Sequence, residues 1–356
     1  MSELSMNRRS FLKTAAVASV GTMAAGAAKA APRSGARLPL PPGRIFEGLD
    51  GAWAAMYTPF VRDTRIDAPV NYDFIPTMVE YYVAKGLTGL YLTGSTGEGF
   101  LLSHDERVRL YKTVVAAAKG RLKLIAHIGC FSTADAVKLA KAAADAGVDW
   151  VSSVAPVYFG QSFKAAYDHY KHVSEATNLP FLVYSVGKKL VPDEAFELMK
   201  LRNVHGMKYT GRDYFDFGVM CRKLEAIGKP AVYFAGADEQ VLNAYATGRF
   251  SGCIGTTDNM IGSQFVNICR LAASNDFAAA AKFQERACRY VHVHLTAGNS
   301  SLSKSGMRYI GLDCGYSRRP AGIPYTEAEY EAYCARLEAL GSDVICRDDA
   351  KLLGIV

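Results

Sequence analysis

The chain has 356 residues, of which 50% are hydrophobic and 21% are charged, a mixture typical of a globular protein with a large core. Four basic residues and one acidic residue among the first thirty contribute +3 to the formal net charge of +7, which leaves +4 for the remainder. A charge this small and scattered argues against a nucleic-acid-binding protein. It favours small anionic substrates.

The amino terminus has the pattern of an export signal. Asn7-Arg8-Arg9-Ser10-Phe11-Leu12-Lys13 precedes a weakly apolar run that ends at Ala28-Lys29-Ala30, where small residues offer a cleavage site. Paired arginines before such a run are typical of a twin-arginine signal, and the alternative is a basic, disordered terminus. The run is shorter than the roughly 20 strongly apolar residues of a membrane span. We therefore expect residues 1–30 to direct export to the periplasm, residues 31–45 to form a linker, and the mature protein to have no stable membrane association.

Short β-rich runs then alternate with helical patterns. Strands are predicted at Ala52–Thr58, Thr88–Thr93, Leu122–Ile128, Asp149–Ala155, Phe181–Val186, Val204–Tyr209, Ala231–Gly236 and Gly252–Thr256. Helices are predicted at Asn71–Lys85, His104–Lys119, Thr133–Ala146, Phe163–Thr177, Pro192–Lys200, Tyr214–Ala226, Glu239–Thr247 and Gly262–Ala273. Eight such units predict an α/β fold, a (β/α)₈ TIM barrel over residues 46–274. A doubly wound sheet is the alternative, but no Gly-x-Gly-x-x-Gly follows the first strand.

The last part of the chain is predicted to be helical. Helical patterns lie at Asp276–Thr296, Ser300–Leu312 and Thr326–Leu340, and Ser317-Arg318-Arg319-Pro320 is a predicted kinked connection. Residues 275–356 are too few for an independent catalytic domain. We therefore predict a C-terminal helical extension that packs on the barrel or on a neighbouring subunit.

Cysteine and histidine spacing gives no metal signature. The eight cysteines lack any CxxC pair, and the His169/His172 and His292/His294 pairs have no carboxylate or cysteine at supporting spacing. We expect most of the thiols to be free and buried, while a disulfide among Cys314, Cys334 and Cys346 is left open. No metal site is predicted.

Reactive residues gather at the carboxyl ends of the predicted strands. These ends carry Gly94-Ser95-Thr96-Gly97-Glu98, Tyr158, Tyr184, Lys208, Gly236 to Glu239, and Gly255 to Asn259. In a TIM barrel they form one rim, where the active site lies. A lysine that is desolvated among apolar and aromatic groups can attack a carbonyl as a free amine. We therefore predict a Schiff-base enzyme with Lys208 as its nucleophile.

The motifs together resemble a known enzyme family. The stretch from Leu90 to Glu98, with Thr58-Pro59-Phe60, His127-Ile128-Gly129-Cys130, Tyr184 and Gly206-Met207-Lys208, is similar to the dihydrodipicolinate synthase/N-acetylneuraminate lyase family of pyruvate-dependent class I aldolases. The similarity runs from roughly Phe46 to Leu340. It implies a substrate imine on Lys208, with no other cofactor.

The resemblance also implies roles for other residues. Tyr184 would be the acid/base, and Ser95 and Thr96 would hold the carboxylate of the small 2-keto acid substrate. Tyr158 would reach the neighbouring site in a homotetramer, a dimer of dimers. A hydrogen-bonded relay through Thr96 and Tyr158, beside a cationic imine, would make Tyr184 a stronger base.

The substrate is predicted from the seventh and eighth strand ends. Gly236, Asp238 and Glu239, with Thr256, resemble the lyase branch of the family, in which the corresponding residues bind the polyol of a sugar acid, and Thr210 also matches that branch. We therefore predict cleavage or condensation of a 2-keto-3-deoxy sugar acid such as N-acetylneuraminate. The alternative for the two carboxylates is a favourable place in the first turn of a helix.

Two departures keep other functions open. Tyr184-Ser185-Val186-Gly187 replaces the family's Tyr-Asn-x-Pro, and Lys189 falls where synthases place an arginine for a second substrate carboxylate. Lys189 is therefore a further candidate substrate-binding residue, and synthase-type condensation or sugar-acid dehydration are the alternative reactions. An exported, non-catalytic keto-acid binding protein is the alternative of another class. It would have little reason to retain Lys208 beside Tyr184.

Overall fold

The computed structural model describes residues 44–158, 162–187 and 189–356. The predicted export signal and most of the predicted linker lie outside these residues. Within them, no helix combines the length and the apolar character that crossing a bilayer requires.

Eight parallel strands close into a barrel in chain order, so the predicted (β/α)₈ fold is confirmed. They are β1 Gly51–Ala55, β2 Gly89–Leu92, β3 Lys123–His127, β4 Trp150–Ser153, β5 Phe181–Ser185, β6 Val204–Tyr209, β7 Val232–Ala235 and β8 Gly252–Gly255. The pairing of Gly51 with Gly252 closes the ring between β1 and β8. A Cβ on Gly252 would collide with the carbonyl oxygen of Gly51, so closure needs glycine there.

Helices follow the strands as the periodicity predicts. Those around the barrel are α1 Ile75–Ala84, α2 His104–Ala118, α3 Thr133–Ala146, α4 Phe163–Ser174, α5 Pro192–Met199, α6 Tyr214–Ala226, α7 Val241–Ala246 and α8 Asp258–Ala273. The C-terminal ones are α9 Phe277–Leu295, α10 Ser300–Lys304, α11 Gly306–Tyr309, α12 Glu327–Glu338 and α13 Asp349–Leu352. Short 3-10 turns lie at Arg44–Phe46, Tyr72–Phe74, Gly99–Leu101 and Asp238–Gln240.

Several boundaries differ from the prediction: α1 begins at Ile75 and not at Asn71, and β1 ends at Ala55 and not at Thr58. Helix α8 begins at Asp258, four residues before Gly262, and its backbone is non-helical at Ile261 (φ −119°, ψ 33°). The predicted helix Ser300–Leu312 is two short helices, α10 and α11, which meet at Ser305.

The barrel interior is filled, and its lower end is closed. Trp53, Tyr91, Phe234 and other inward side chains pack inside the ring, while Phe46 packs against Trp150 at the amino-terminal ends of the strands. A second, larger apolar layer lies between the strands and the helices. With the lower end closed by aromatic rings, the interior is accessible from the carboxyl ends of the strands.

The C-terminal extension contacts the barrel through polar groups as well as apolar ones. Lys85 of α1 pairs with Asp349 of α13 at 2.7 Å, and Gln264 of α8 donates to the carbonyl of Asp343 at 2.7 Å. All eight cysteines are free in the structure, those considered for a disulfide included.

Candidate active site

Lys208 lies inside the barrel near its open end. Period-two alternation along β6 turns Gly206 and Lys208 to the interior, and the strand register places Lys208 beside Tyr184 of β5 and Phe234 of β7. Only 4% of Lys208 is exposed, and its Nζ lies 4.4 Å from the centre of the Tyr184 ring. The lysine and the tyrosine predicted as catalytic are therefore in contact.

A second tyrosine, Tyr91 of β2, faces the same amine. Its ring centre is 4.6 Å from Lys208 Nζ and 5.8 Å from the Tyr184 ring, and its hydroxyl is hydrogen bonded to Ser152 Oγ at 2.9 Å. The sequence motif contains Tyr91, but the motif alone did not identify it as a residue of the site. The alternation along β2 could have identified it, because residues at alternate positions of a barrel strand share the interior.

His127 of β3 supports this aromatic cluster as a neutral imidazole. Burial, and then the positive charge of Arg107, lower its pKa to about 3. Its Nδ1 therefore carries the proton that is donated to the carbonyl oxygen of Thr93 at 3.0 Å. The bond fixes the ring where β2 passes into the Gly94–Glu98 segment, which is called the carboxylate loop below.

The carboxylate loop exposes two backbone donors. Within the described part of the chain, the N–H groups of Ser95 and Thr96 donate to no protein acceptor, whereas Glu98 N donates back to Ser95 O at 3.0 Å. A Cβ on Gly97 would lie 2.9 Å from the carbonyl oxygen of Met56, so the loop needs glycine to pack against β1. Paired free N–H groups in such a turn suit a carboxylate.

Thr96 also links two strand ends. Its hydroxyl is hydrogen bonded to the hydroxyl of Thr256, after β8, at 2.7 Å. Two predicted substrate-binding residues are thus joined. The relay from Tyr184 through Thr96 to Tyr158 stays a prediction.

Asp238 is buried and held in place at the end of β7. Its Oδ2 accepts hydrogen bonds from Thr257 N at 2.9 Å and Thr257 Oγ1 at 2.6 Å. Burial raises the pKa of Asp238 above its usual value, although the hydrogen bonds from Thr257 and the charge of Lys208 act in the opposite direction. These three groups favour the ionised form of Asp238.

A second buried acid, Asp258, faces Asp238 across Gly255. A Cβ on Gly255 would collide with both Asp258 Oδ2 and Asp238 Oδ1, so the two carboxyl groups are close. Asp258 Oδ2 is buried with no hydrogen-bond partner among the described residues, and burial followed by the charge of Asp238 raises the pKa of Asp258 well above its usual value. We therefore expect the two adjacent carboxyl groups to share one proton, with Asp258 as the group that holds it.

This assignment predicts a pH-dependent stability difference for Asp258→Asn. Because the folded pKa is raised above the ordinary 3.8, the stability that Asp258 contributes is fully present below that pH and is lost as pH rises towards the folded pKa. The amide of the variant cannot ionise. Its free energy of unfolding should therefore rise relative to that of the wild type by up to about 1.4 kcal/mol per pH unit across this window. Denaturant unfolding at pH values from about 4 to 8 measures the difference.

The same substitution on an exposed helix face, Asp145→Asn in α3, is the control for the chemical change itself. A stability difference between wild type and Asp258→Asn that stays constant with pH would contradict the buried proton.

The remaining β7 and β6 residues surround the lysine from the other side. A Cβ on Gly236 would lie 3.1 Å from Lys208 Cε, so glycine leaves room for the lysine side chain. The hydroxyl of Thr210 is buried near Gly236 and has no hydrogen-bond partner in the part of the chain that the structure describes. Glu239 is ion paired with Arg212 at 2.8 Å, and 30% of its side chain is exposed.

Two predicted residues lie further out. Lys189 is 75% exposed at its side chain and pairs with Asp216 at 3.5 Å, yet it borders a cavity of about 330 Å³ that Tyr184 also lines. Tyr158 is 76% exposed after β4, next to residues that the structure does not describe. The structure does not test their roles, which stay predictions.

A hydroxyl-rich cavity of about 230 Å³ separates the strand ends from the C-terminal helices. Its walls include Ser95, Thr96, Thr256, Ser300, Ser303 and Ser317. Three of these residues belong to the extension, which sequence reasoning did not connect to the site. Among the described residues, no group of three or more His, Cys, Asp or Glu side chains is placed to hold a metal ion.

Comparison with known proteins agrees with this geometry. The model of the dihydrodipicolinate synthetase family matches residues 48–340. The chain belongs to this family. As a member of the dihydrodipicolinate synthetase family it is an enzyme, a class I aldolase or carbon–carbon lyase that works through a Schiff base without a cofactor.

Individual relatives share the lyase name. The N-acetylneuraminate lyase of Rhizobium meliloti is 34% identical over 275 residues, which cover 76% of this chain and 89% of the relative. That of Escherichia coli K12 is 31% identical over 303 residues, covering 83% and 97% of the two chains. The crystal structure of N-acetylneuraminate lyase from Mycoplasma synoviae superposes with a TM-score of 0.74 at 28% identity and covers 85% of this member of the family and 100% of the solved chain.

Proposed function

We propose that the chain cleaves a 2-keto-3-deoxy sugar acid, such as N-acetylneuraminate, to pyruvate and an aldehyde. The observation that carries the proposal is the contact between buried Lys208 and Tyr184 at the open end of the barrel. The carboxylate loop and Asp238 flank this pair and suit the two ends of such a substrate. Relatives that are named N-acetylneuraminate lyase support the choice of substrate. A panel of 2-keto-3-deoxy acids assayed for pyruvate release tests it.

The first step is imine formation. Lys208 Nζ adds as a free amine to the C2 carbonyl, and the resulting carbinolamine takes up a proton from solvent and loses water to give a protonated imine. The free N–H groups of Ser95 and Thr96 bind the C1 carboxylate and so orient C2 towards the amine. Tyr91 and Tyr184 enclose the reacting nitrogen with their rings.

The second step is cleavage of the C3–C4 bond. Tyr184, as a phenolate beside the cationic imine, removes the proton of the C4 hydroxyl, the C4–O bond becomes a carbonyl, and the electron pair of the C3–C4 bond moves into the imine. The aldehyde leaves, and an enamine stays on Lys208. Protonation at C3 and hydrolysis of the imine then release pyruvate and the free lysine.

The polyol end of the substrate is assigned to the β7 and β8 ends. Asp238 Oδ2 is occupied by Thr257, so Oδ1 is the oxygen left to accept from a substrate hydroxyl. Glu239 offers a second carboxylate and Thr256 a hydroxyl beside the cavity described above. Acceptors of this kind favour a hydroxylated, uncharged aldehyde half.

Asp238→Asn and Glu239→Gln are expected to lower kcat/KM for sugar acids about ten- to a hundredfold, because losing a hydrogen bond to an uncharged group costs roughly 1–3 kcal/mol. Trapping of pyruvate by borohydride should be unchanged, since neither group binds the keto acid end. Lys189→Met is the comparison. A larger loss in Lys189→Met than in the two acidic variants would reverse the assignment.

That reversal would favour the alternative function, synthase-type condensation or dehydration of a sugar acid. Lys189 borders a cavity shared with Tyr184, and its ammonium suits a second substrate carboxylate. The preferred partner would then be an aldehyde or keto acid that carries an additional anionic group. Equal and negligible effects of all three substitutions would point to a short apolar or aromatic aldehyde.

The active form is proposed to be a homotetramer built from dimers, because the family resemblance implies that Tyr158 reaches the neighbouring site, and its ring is exposed. Tyr158→Phe is expected to lower turnover without changing assembly, since only a hydroxyl is lost. Light scattering and steady-state kinetics measure the two properties. A fully active monomer, or a Tyr158→Phe enzyme with wild-type turnover, would contradict the proposal.

Export to the periplasm is proposed from the sequence pattern at Arg8-Arg9. Twin-arginine export carries proteins that have already folded, so this barrel would form before it leaves the cytoplasm.

A further inference from the structure

A residue with strained backbone lies at each end of the carboxylate loop. Thr93, before the loop, has φ 51°, and Glu98, at its end, has φ 56°. Non-glycine residues rarely adopt this left-handed conformation, and a β-branched residue such as threonine does so least readily. Such conformations persist only where surrounding contacts over-determine them, typically at functional sites.

Thr93, the strained residue before the loop, is held by contacts within the barrel. Thr93 Oγ1 donates to the carbonyl of His127 at 2.9 Å and lies 2.8 Å from the hydroxyl of Tyr111. These partners belong to β3 and α2, and Thr93 is only 1% exposed. The strand end before the loop is therefore fixed without any help from the C-terminal extension.

Glu98, the strained residue at the end of the loop, is held by the C-terminal extension. Lys304 Nζ, at the end of α10, donates to Glu98 Oε1 at 3.2 Å, and the backbone N–H of Arg318 donates to Glu98 Oε2 at 2.7 Å. The side chain of Lys304 is 0% exposed and that of Glu98 is 5% exposed. The pair is a fully buried ion pair, in which each charge depends on the other.

Lys304 also contacts the loop through Thr58, in the segment that follows β1. Its Nζ donates to the carbonyl of Thr58 at 2.7 Å, and Thr58 Oγ1 donates to the carbonyl of Gly97 at 2.6 Å. The ring of Phe60 lies 4.4 Å from the same Nζ. One buried ammonium group thus fixes two consecutive residues of the loop, Gly97 by way of Thr58 and Glu98 directly.

We propose that Lys304 is a positioning residue for the reaction, which holds the carboxylate loop so that the N–H groups of Ser95 and Thr96 meet the carboxylate of the 2-keto acid. The inference rests on the proposed function of that loop. It makes the C-terminal extension part of the active site, since the barrel alone would leave the Glu98 end of the loop without its buried cation.

Borohydride trapping with two ketones tests the inference. Pyruvate and pyruvamide carry the same C2 carbonyl, but only pyruvate has the carboxylate that the loop binds. Lys304→Met should lower the rate of trapping with pyruvate about ten- to a hundredfold, as expected for misplaced hydrogen bonds to a charged group. Trapping with pyruvamide should change little, so the preference for pyruvate should be lost.

Two further variants complete the design. Lys85→Met also removes a lysine that links the barrel to the extension, through Asp349, and should keep the wild-type preference. Glu98→Gln keeps the shape and the Arg318 contact while weakening the pair, so it should lose the preference in part even if Lys304→Met does not fold.

The outcomes separate the inference from the proposed function. An unchanged preference for pyruvate in Glu98→Gln, and in Lys304→Met where it folds, would overturn the positioning role. Equal losses with both ketones would also overturn it, because they would show a general structural effect. Failure of the wild-type enzyme to trap pyruvate at all would instead overturn the proposed function.

Discussion

Replacing Lys208 by methionine is expected to abolish cleavage and to leave the fold intact. Methionine has a similar length and no amine, so no imine can form. The substituted side chain would sit among the rings of Tyr91 and Tyr184, where an apolar thioether packs well and a buried ammonium is costly to desolvate. Pyruvate release and thermal unfolding of the purified variant measure the two effects, and the melting temperature should equal or exceed that of the wild type.

Lys189→Met is the matched control, because it removes an amine from the exposed rim. It should retain pyruvate release from at least some substrates of the panel. Measurable turnover in Lys208→Met, with the same substrate preference as the wild type, would contradict the role of Lys208.

Replacing Tyr184 by phenylalanine is expected to lower kcat by about 10²–10⁴, the usual contribution of a general acid–base. The ring would still pack against Lys208, but there would be no phenolate oxygen to take the C4 proton. Imine formation with pyruvate needs no such transfer from C4, so trapping should persist. Steady-state kinetics with a sugar acid and a separate trapping assay distinguish the two steps.

Tyr91→Phe is the control for Tyr184→Phe. It keeps a ring at the same distance from Lys208 and loses only the hydrogen bond with Ser152, so its effect on kcat should be the smaller of the two. A larger loss in Tyr91→Phe would transfer the acid–base role to that residue.

The fold was predictable because each signal is local. Alternation along the strands, caps such as Ser103 before α2, and eight repeated units all lie within short stretches. The start of α8 was missed because Gly262 resembles a boundary. In the structure Gly262 allows close packing instead, since a Cβ there would lie 3.1 Å from Leu87.

The central pair of the site was predictable for the same reason. Lys208 and Tyr184 end neighbouring strands, and parallel pairing places such residues side by side. The link between Lys304 and Glu98 was not predictable, since 206 residues separate them and no local pattern records the contact. The raised pKa of Asp258 was not predictable either, because it depends on burial and on a neighbouring carboxyl group across Gly255.

The central claim is that Lys208 forms the imine, and borohydride reduction in the presence of pyruvate tests it most directly. Hydride adds to the imine carbon and leaves a stable secondary amine, which mass spectrometry locates on a peptide. The account predicts a single pyruvate-derived adduct on the peptide that contains Lys208. No adduct under conditions that label an established lyase of the family, or an adduct on another lysine, would contradict it.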